Sequence, residues 1–205
     1  MTTVTFEEYP SNRHRTITRN VAMVVALWFA AVWWAAASGA LGRLWQPLIA
    51  GLVALGILLP TIWYFAVPVS RNWAERVGIR AITAFHVWRI PAALIFFWYG
   101  LNGKLPALFW VLAGTGDMLA GIWALVVTAR SDSTRTAYLW MHRFGFADFL
   151  VAVGTGLTFT LLMDPGMAPI AALPLALIPL FGVGISGATH LMAFDMLHRA
   201  KDTKN

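Results

Sequence analysis

Five ionisable residues lie inside long apolar runs of this 205-residue chain: Arg89, Asp117, Asp148, His86 and His190. A charged or titratable side chain in such surroundings is costly unless it is paired, hydrated or functional. Aspartate and histidine transfer protons, arginine holds carboxylates and other anions, and histidine ligates metals and haem iron. We therefore treat these five residues as a buried polar cluster and as the candidate site.

Three further ionisable residues, His142, Arg143 and Asp195, lie nearer the ends of the apolar runs. At a rise of about 1.5 Å per residue they fall close to the predicted cytoplasmic surface, whereas the cluster residues lie deeper in the cytoplasmic half. We expect these three to reach water and to support the cluster from the interface. Counted with Arg143, two arginines balance the two aspartates Asp117 and Asp148.

Helical phase turns Asp117 toward the other helices. Five residues that share its helical face are small, and a face of small residues lets another helix approach closely. These residues are Ala113, Gly114, Ala120, Gly121 and Ala124. His86 and Arg89 are three residues apart and share one helical face, and Pro91 predicts a kink beside them because it interrupts the backbone hydrogen bonds.

Several interpretations of the cluster stay open. In a structural or accessory membrane subunit, Arg89 pairs with Asp117 or Asp148 and only fixes helix packing. In a small-solute or proton-coupled transporter, the same charges form an ion path or an anion site. In a third interpretation, His86 and His190 ligate a b-type haem or a metal ion; no other cofactor is expected. A lipid-modifying enzyme has no nucleophile motif to support it, so no catalytic residue is assigned.

Composition places the chain in a lipid bilayer. Apolar residues make up 59% of it and charged residues 12%, too few polar groups to cover a soluble protein of this size. Six apolar runs are each near the roughly 20 residues that a spanning helix needs. They cover 21–41, 48–67, 81–100, 107–127, 141–162 and 170–197. The sequence therefore predicts an all-α, six-helix transmembrane bundle over 21–198, between a polar segment (1–20) and a short tail (199–205).

The distribution of basic residues predicts the orientation of the bundle. One side of the predicted membrane carries only Arg43 and Lys104, and the other carries Arg13, Arg15, Arg19, Arg71, Arg76, Arg80, Arg130, Arg135, Arg199, Lys201 and Lys204. Because the basic side of a multi-pass protein faces the cytoplasm, we expect both termini to be cytoplasmic. This pattern is typical of a bacterial inner-membrane protein.

Charge, cysteine content and small residues bear on the partners. The net charge of +6 fits attraction to anionic lipid, so no nucleic-acid partner is expected. The chain has no cysteine, which excludes disulfides and thiolate metal ligands. Small residues of the first span offer a contact surface to a second copy of the chain or to another membrane subunit. They are Ala35, Ser38, Gly39 and Gly42.

Three segments carry a resemblance to a known group of proteins. They are Gly100-Leu-Asn-Gly-Lys-Leu-Pro106, Ala113-Gly-Thr-Gly-Asp117-Met-Leu-Ala-Gly121, and Pro174-Leu-Ala-Leu-Ile-Pro179-Leu-Phe with His190. Together they resemble small bacterial multi-span membrane proteins of unassigned function. The resemblance implies a prokaryotic inner-membrane location, and it supplies no catalytic residues.

Overall fold

The computed structural model describes residues 11–202, which form eight α-helices and contain no strand. The helices are α1 (Ser11–Ala37), α2 (Gln46–Ala66), α3 (Pro68–Val77), α4 (Ile79–Phe85), α5 (Arg89–Leu101), α6 (Ala107–Ala129), α7 (Arg135–Leu161) and α8 (Val183–Asp202). Parts of the predicted terminal segments, 1–10 and 203–205, lie outside the described residues. Six helical stretches are long and apolar enough to cross a membrane, which confirms the six-helix fold.

The third of these stretches is interrupted in its middle. It runs from Ile79 to Leu101, but a 3₁₀ turn at His86–Trp88 separates α4 from α5. Pro91 has no N–H to donate to the carbonyl of Val87, and its ring crowds that carbonyl, so the turn before it tightens. Because a 3₁₀ turn has three residues, His86 and Arg89 are aligned on one side of the chain.

The sixth stretch begins later than the sequence predicted. The prediction placed its start near residue 170, whereas the apolar helix begins at Ile178 with a π-helical turn that leads into α8. The preceding Pro165–Ala171 is 3₁₀-helical. Pro169 and Pro174 lack the N–H groups that a regular helix requires, which explains the delay.

Arginines join the helix ends at one face of the bundle. Arg80, at the start of α4, donates from Nε and Nη2 to the carbonyl of Thr128 at 2.9 and 2.6 Å. Arg135, at the start of α7, donates from the same two atoms to the carbonyl of Leu197 at 2.8 and 2.6 Å. The ends of α6 and α8 and the starts of α4 and α7 therefore meet at one end, which we call the basic end.

Two glycines bring α2 and α8 into direct backbone contact. A Cβ on Gly184 would lie 2.6 Å from the carbonyl oxygen of Gly56. The neighbouring α1 is peripheral, and Trp28 ties it to the bundle by donating from Nε1 to the carbonyl of Leu180 at 2.9 Å. Its other face exposes large apolar side chains, among them Met23, Leu27 and Trp34, as expected of a helix in contact with lipid.

Candidate functional site

Arg89 is the centre of a buried ion-pair network that joins three helices. Its Nε donates to Asp117 Oδ1 on α6 at 2.6 Å, and its Nη2 donates to Asp148 Oδ2 on α7. Its Nη1 donates to the carbonyl oxygen of Gly145 on α7 at 3.1 Å. The sequence predicted one of the two aspartates as the partner of Arg89, and the structure pairs the arginine with both.

Small residues make room for this network. The small face of α6 predicted from the sequence is buried along with Asp117. On that face, a Cβ at Gly121 would lie 2.7 Å from Ile90 Cγ1 and 3.0 Å from the backbone nitrogen of Ile90. Nearby, a Cβ at Gly116 would overlap the carboxylate of Asp148. The missing side chains therefore let α5 and Asp148 approach α6 closely.

A second cluster consists of three histidines, His86, His142 and His190, each with 0% exposure. The rings of His86 and His190 are stacked with 4.0 Å between centroids, and the His142 ring lies edge-on to both at 5.4 and 5.1 Å. The expectation that His142 reaches water is wrong. Helix α7 begins at Arg135, before the predicted start at 141, so His142 lies two turns inside the bundle.

Threonine hydroxyls determine which nitrogen of each ring carries the proton, and we assign the tautomers from these hydrogen bonds. Thr83 Oγ1 donates to the carbonyl of Ile79 at 2.7 Å, so it accepts the Nε2–H of His142 at 2.9 Å. His142 Nδ1 is then an acceptor and receives the Nδ1–H of His190 at 2.9 Å. The Nε2 of His190 consequently carries a lone pair.

The same argument applies to His86. Thr189 Oγ1 donates to the carbonyl of Ile185 at 2.8 Å, so it accepts the Nε2–H of His86 at 3.2 Å. The Nδ1 of His86 then carries the lone pair. Both His86 Nδ1 and His190 Nε2 are buried without a hydrogen-bond partner, which is an unusual state for buried polar atoms.

The ion-pair network and the histidine cluster meet at Gly145. A Cβ on this residue would lie 2.7 Å from His190 Cε1 and 3.3 Å from Arg89 Nη1. Only the bare backbone of α7 separates the guanidinium from the imidazole at this point. The five residues selected from the sequence therefore form one continuous polar core, together with His142.

The two other interfacial residues lie outside this core. Arg143 is exposed, and its guanidinium carbon lies 5.0 Å from the centroid of the Trp140 ring. Asp195 accepts hydrogen bonds from Tyr64 Oη at 2.6 Å and from Arg199 Nη2 at 2.7 Å near the basic end. With Arg143 outside, the buried network contains one arginine and two aspartates, so the charge balance expected from the sequence does not hold.

Sequence reasoning missed Thr83 and Thr189, which orient the imidazoles. Thr83 precedes His86 by three residues, and Thr189 directly precedes His190. A threonine this close to a histidine within an apolar run was a usable signal of a hydrogen bond to an imidazole. Proximity in the sequence, however, suggests the wrong histidine as the partner of each threonine. Thr83 contacts His142, and Thr189 contacts His86.

An apolar cavity of about 140 Å³ adjoins the ion-pair network. The charged side chains that line it are those of Arg89 and Asp117, and Ser186 lies beside them. Its other walls are mainly aliphatic and aromatic, and they include Ile57, Phe96, Phe149 and Leu175. Asp148, in contrast, borders a separate shallow groove between α6 and α7 with Leu112, Thr115 and Phe144. Arg89 thus bridges carboxylates that face two different spaces.

The histidine geometry distinguishes the two cofactors that the sequence suggested. Two axial imidazoles of a haem lie on opposite faces of the porphyrin, with the iron between them. His86 and His190 are stacked directly on each other, so no porphyrin fits between their rings. The spacing of the three histidines is compatible with a single metal ion, because their ligand atoms lie within 4.8 Å of one another.

The fold and this core define a multi-pass α-helical membrane protein with buried ionisable residues. The chain belongs to the family described as domain of unknown function DUF8737, whose family model matches residues 43–198. This confirms the resemblance to a family of unassigned function, and the matched range contains every residue of the polar core. No curated protein and no solved structure matches the chain.

Proposed function

We propose that this protein couples the movement of a proton to the passage of a small, mainly apolar solute across a bacterial inner membrane. The observation that carries the proposal is the bonding of one guanidinium to two carboxyl groups in the membrane interior. Arg89 balances the charge of one carboxylate. The other carboxyl group is either protonated, which leaves the network neutral, or ionised, which leaves it with a net charge of −1.

An uncompensated charge in a low-dielectric interior costs several kcal/mol, on the order of the free energies that drive conformational change. Loss or gain of this proton therefore changes how strongly Arg89 is held by each aspartate. Because Asp117 faces the cavity and Asp148 faces the groove, the proton state of the network is coupled to the two spaces. Proton relays in transporters use acidic residues in this way.

The cavity indicates the class of solute. Its volume of about 140 Å³ is close to the roughly 150 Å³ of an apolar cavity that takes up benzene. Two carboxyl groups already surround the guanidinium, so an anionic solute would meet repulsion. A small molecule with an apolar body and one hydroxyl group, bonded to Asp117 or Ser186, matches the lining.

The orientation follows from the charge distribution. The basic end carries arginines of α3 and of the starts of α4 and α7, together with the arginine that follows α6, namely Arg71, Arg76, Arg80, Arg135 and Arg130. The opposite end carries Arg43 and Lys104. We assign the basic end to the cytoplasm, with both termini inside. The ion-pair network then lies near the middle of its helices, with His86 and His142 on its cytoplasmic side, and the cavity extends from the network toward the outer surface.

Proton flux in proteoliposomes tests the proposal. The vesicles hold a pH-sensitive dye, a potassium diffusion potential drives the protons, and benzyl alcohol serves as the probe solute. We expect the wild type to pass protons at a rate that rises with benzyl alcohol. Asp117→Asn and Asp148→Asn remove one titratable carboxyl group each with little change in size. Both variants should reduce the flux to that of protein-free vesicles.

Asp132→Asn is the matched control for this experiment. Asp132 is exposed in the loop between α6 and α7, where hydrogen bonds from Arg130 lower the pKa of its carboxyl group. It therefore stays ionised throughout the assay, and its loss should leave the flux unchanged. Wild-type flux in folded Asp117→Asn and Asp148→Asn proteins would overturn the proposal.

A structural role is the second candidate function, because the guanidinium of Arg89 is bonded on all three nitrogens and ties α5 to α6 and α7. If the network only fixes helix packing, Arg89→Ala lowers stability, and the charge-swapped Arg89→Asp, Asp117→Arg protein recovers much of the loss. In that case neither the wild type nor the swapped protein shows proton flux. If the network conducts protons, wild-type protein shows flux and the swapped protein does not.

A further inference from the structure

We propose that His86, His142 and His190 bind one divalent transition-metal ion of the zinc and copper(II) class inside the bundle. The inference does not depend on proton transport through Arg89 and its aspartates. It concerns three side chains from α7, α8 and the 3₁₀ turn before α5, which the fold brings together from positions 86, 142 and 190.

The first support is that two imidazole nitrogens, one on His86 and one on His190, have lone pairs that accept no hydrogen bond. The threonine hydrogen bonds place protons on the Nε2 atoms of His86 and His142, so the lone pairs of both rings lie on Nδ1. His86 Nδ1 and His190 Nε2 are buried and have no hydrogen-bond partner. A buried acceptor without a donor is costly, and coordination to a metal removes the cost.

The second support is the spacing of the three rings. One ligand atom from each histidine lies within 4.8 Å of those from the other two. Three imidazole nitrogens at about 2.0–2.1 Å from one zinc ion lie roughly 3.4 Å apart in a tetrahedral arrangement. Small ring rotations close this difference. In the bound state His142 Nδ1 exchanges its hydrogen bond from His190 for a bond to the metal, and His190 gives up that acceptor while its Nε2 gains the metal.

The third support is the set of groups behind the ligands. A metal-bound histidine usually donates its other ring N–H to an oxygen atom, which fixes the tautomer and the ring orientation. Thr83 and Thr189 already supply such oxygens to His142 and His86 at 2.9 and 3.2 Å. Both hydroxyls are themselves fixed by helix carbonyls one turn earlier, so two of the ligands are oriented in advance.

The ligand set defines the metal. All three ligands are imidazoles, which suit zinc, copper(II), nickel and cobalt(II), while magnesium and calcium require oxygen ligands. The Arg89 guanidinium faces His190 across Gly145, and its bonds to the carboxyl groups of Asp117 and Asp148 offset its charge beside the site. The site is also closed to water, since each histidine is fully buried, and a metal must enter during folding.

The test is the metal content of protein purified from cells that were grown with added cobalt or zinc. We expect about one ion per chain in the wild type, and visible d–d absorption bands in the cobalt form. His86→Gln, His142→Gln and His190→Gln should each lose the ion. His198→Gln is the matched control, because His198 is exposed on the same helix as His190, and it should keep the ion.

Thr83→Val provides a variant in which all three ligands remain. Removing the oxygen behind His142 should weaken metal binding by about 10–100-fold, the usual effect of losing such a group, while elution on gel filtration stays unchanged. A folded wild type without metal would overturn the proposal, and so would metal content that survives all three histidine substitutions. Asp117→Asn protein should still bind the ion, so failure of the transport proposal and failure of this one are distinguishable.

Discussion

Gly145 lies where the Arg89 guanidinium and the His190 ring both contact α7. The residue has no side chain, but its carbonyl oxygen accepts a hydrogen bond from Arg89 Nη1. Its missing side chain leaves the space that the imidazole occupies. A buried core with two carboxyl groups, a guanidinium and three imidazoles therefore depends on one position that carries no side chain.

Substitution of this glycine tests how closely the two clusters are packed. In Gly145→Ala the new methyl group would lie 2.7 Å from His190 Cε1, so either the ring or the helix must move. We expect a loss of stability of about 1–3 kcal/mol, as for other overpacked interiors. Thermal unfolding in detergent, followed by tryptophan fluorescence, measures the loss.

Gly154→Ala is the control on the same helix. A Cβ at Gly154 meets nothing within 4 Å, and replacing an exposed helical glycine with alanine is stabilising by roughly 0.5–1 kcal/mol. The two variants should therefore shift the melting temperature in opposite directions. Equal shifts would show that the close packing at Gly145 does not limit stability.

The sequence anticipates the ionisable core better than it anticipates its contacts. Arg89, Asp117 and Asp148 stand out because a charge in an apolar run is rare, and the small residues around Asp117 show that it faces inward. His142 was placed near water because hydropathy located the start of its span at 141. Helix α7 extends to Arg135 through polar residues, and hydropathy does not detect such an extension.

At the scale of elements, α2 and α8 approach each other closely at Gly56 and Gly184. A Cβ at Gly184 would lie 2.6 Å from the carbonyl oxygen of Gly56 and 2.7 Å from the Trp28 ring. Small residues permit such close packing of helices in membranes. The contact holds α8, and with it His190 and Thr189, against α2.

Gly184→Ala should separate these helices. The neighbouring atom is backbone, which cannot rotate away as a side chain does, so we expect the destabilisation to reach the upper part of the range of about 1–3 kcal/mol that overpacking produces. Unfolding in detergent measures it. Gly51→Ala on α2 is the matched control, since a Cβ there meets nothing within 4 Å, and its melting temperature should not fall. A harmless Gly184→Ala would contradict the close contact.

Elements were predictable where apolar length alone decides them. The number of membrane-spanning helices follows from hydropathy, and the 3₁₀ interruption before Pro91 follows from the chemistry of proline. The start of the sixth membrane-spanning stretch at Ile178, which includes α8, was not predictable. The segment before it is as apolar as a membrane span. Several prolines there prevent a continuous helix, and their combined effect depends on how the segment packs.

At the scale of the whole molecule, the basic residues have two roles. They give one end of the bundle its positive charge, and two of them, Arg80 and Arg135, also bond to carbonyl groups near the ends of α6 and α8. The sequence predicts the first role from a simple count. The second role was not predictable, because it requires helix ends that are distant in the chain to meet.

The proposed orientation is testable because the chain contains no cysteine. Asn102→Cys and Ser131→Cys each introduce one thiol at an exposed position, in the loops after α5 and α6 respectively. In intact bacterial cells, a membrane-impermeant maleimide should label the cysteine at position 102. It should label the one at position 131 only after the membrane is permeabilised. The unsubstituted chain is the control for background, and the reverse pattern would invert the orientation.

The sequence by itself determined the class of this protein, the number of its membrane-spanning helices and the residues that are costly to bury. These properties depend on transfer free energies of single side chains, which can be summed along the chain. Only the tertiary structure decided that Arg89 bonds to both aspartates, that Arg143 points away and that three histidines meet with two free lone pairs. Those features depend on distances between helices and on the space left by Gly116 and Gly145. They cannot be obtained by adding the free energies of single residues along the chain.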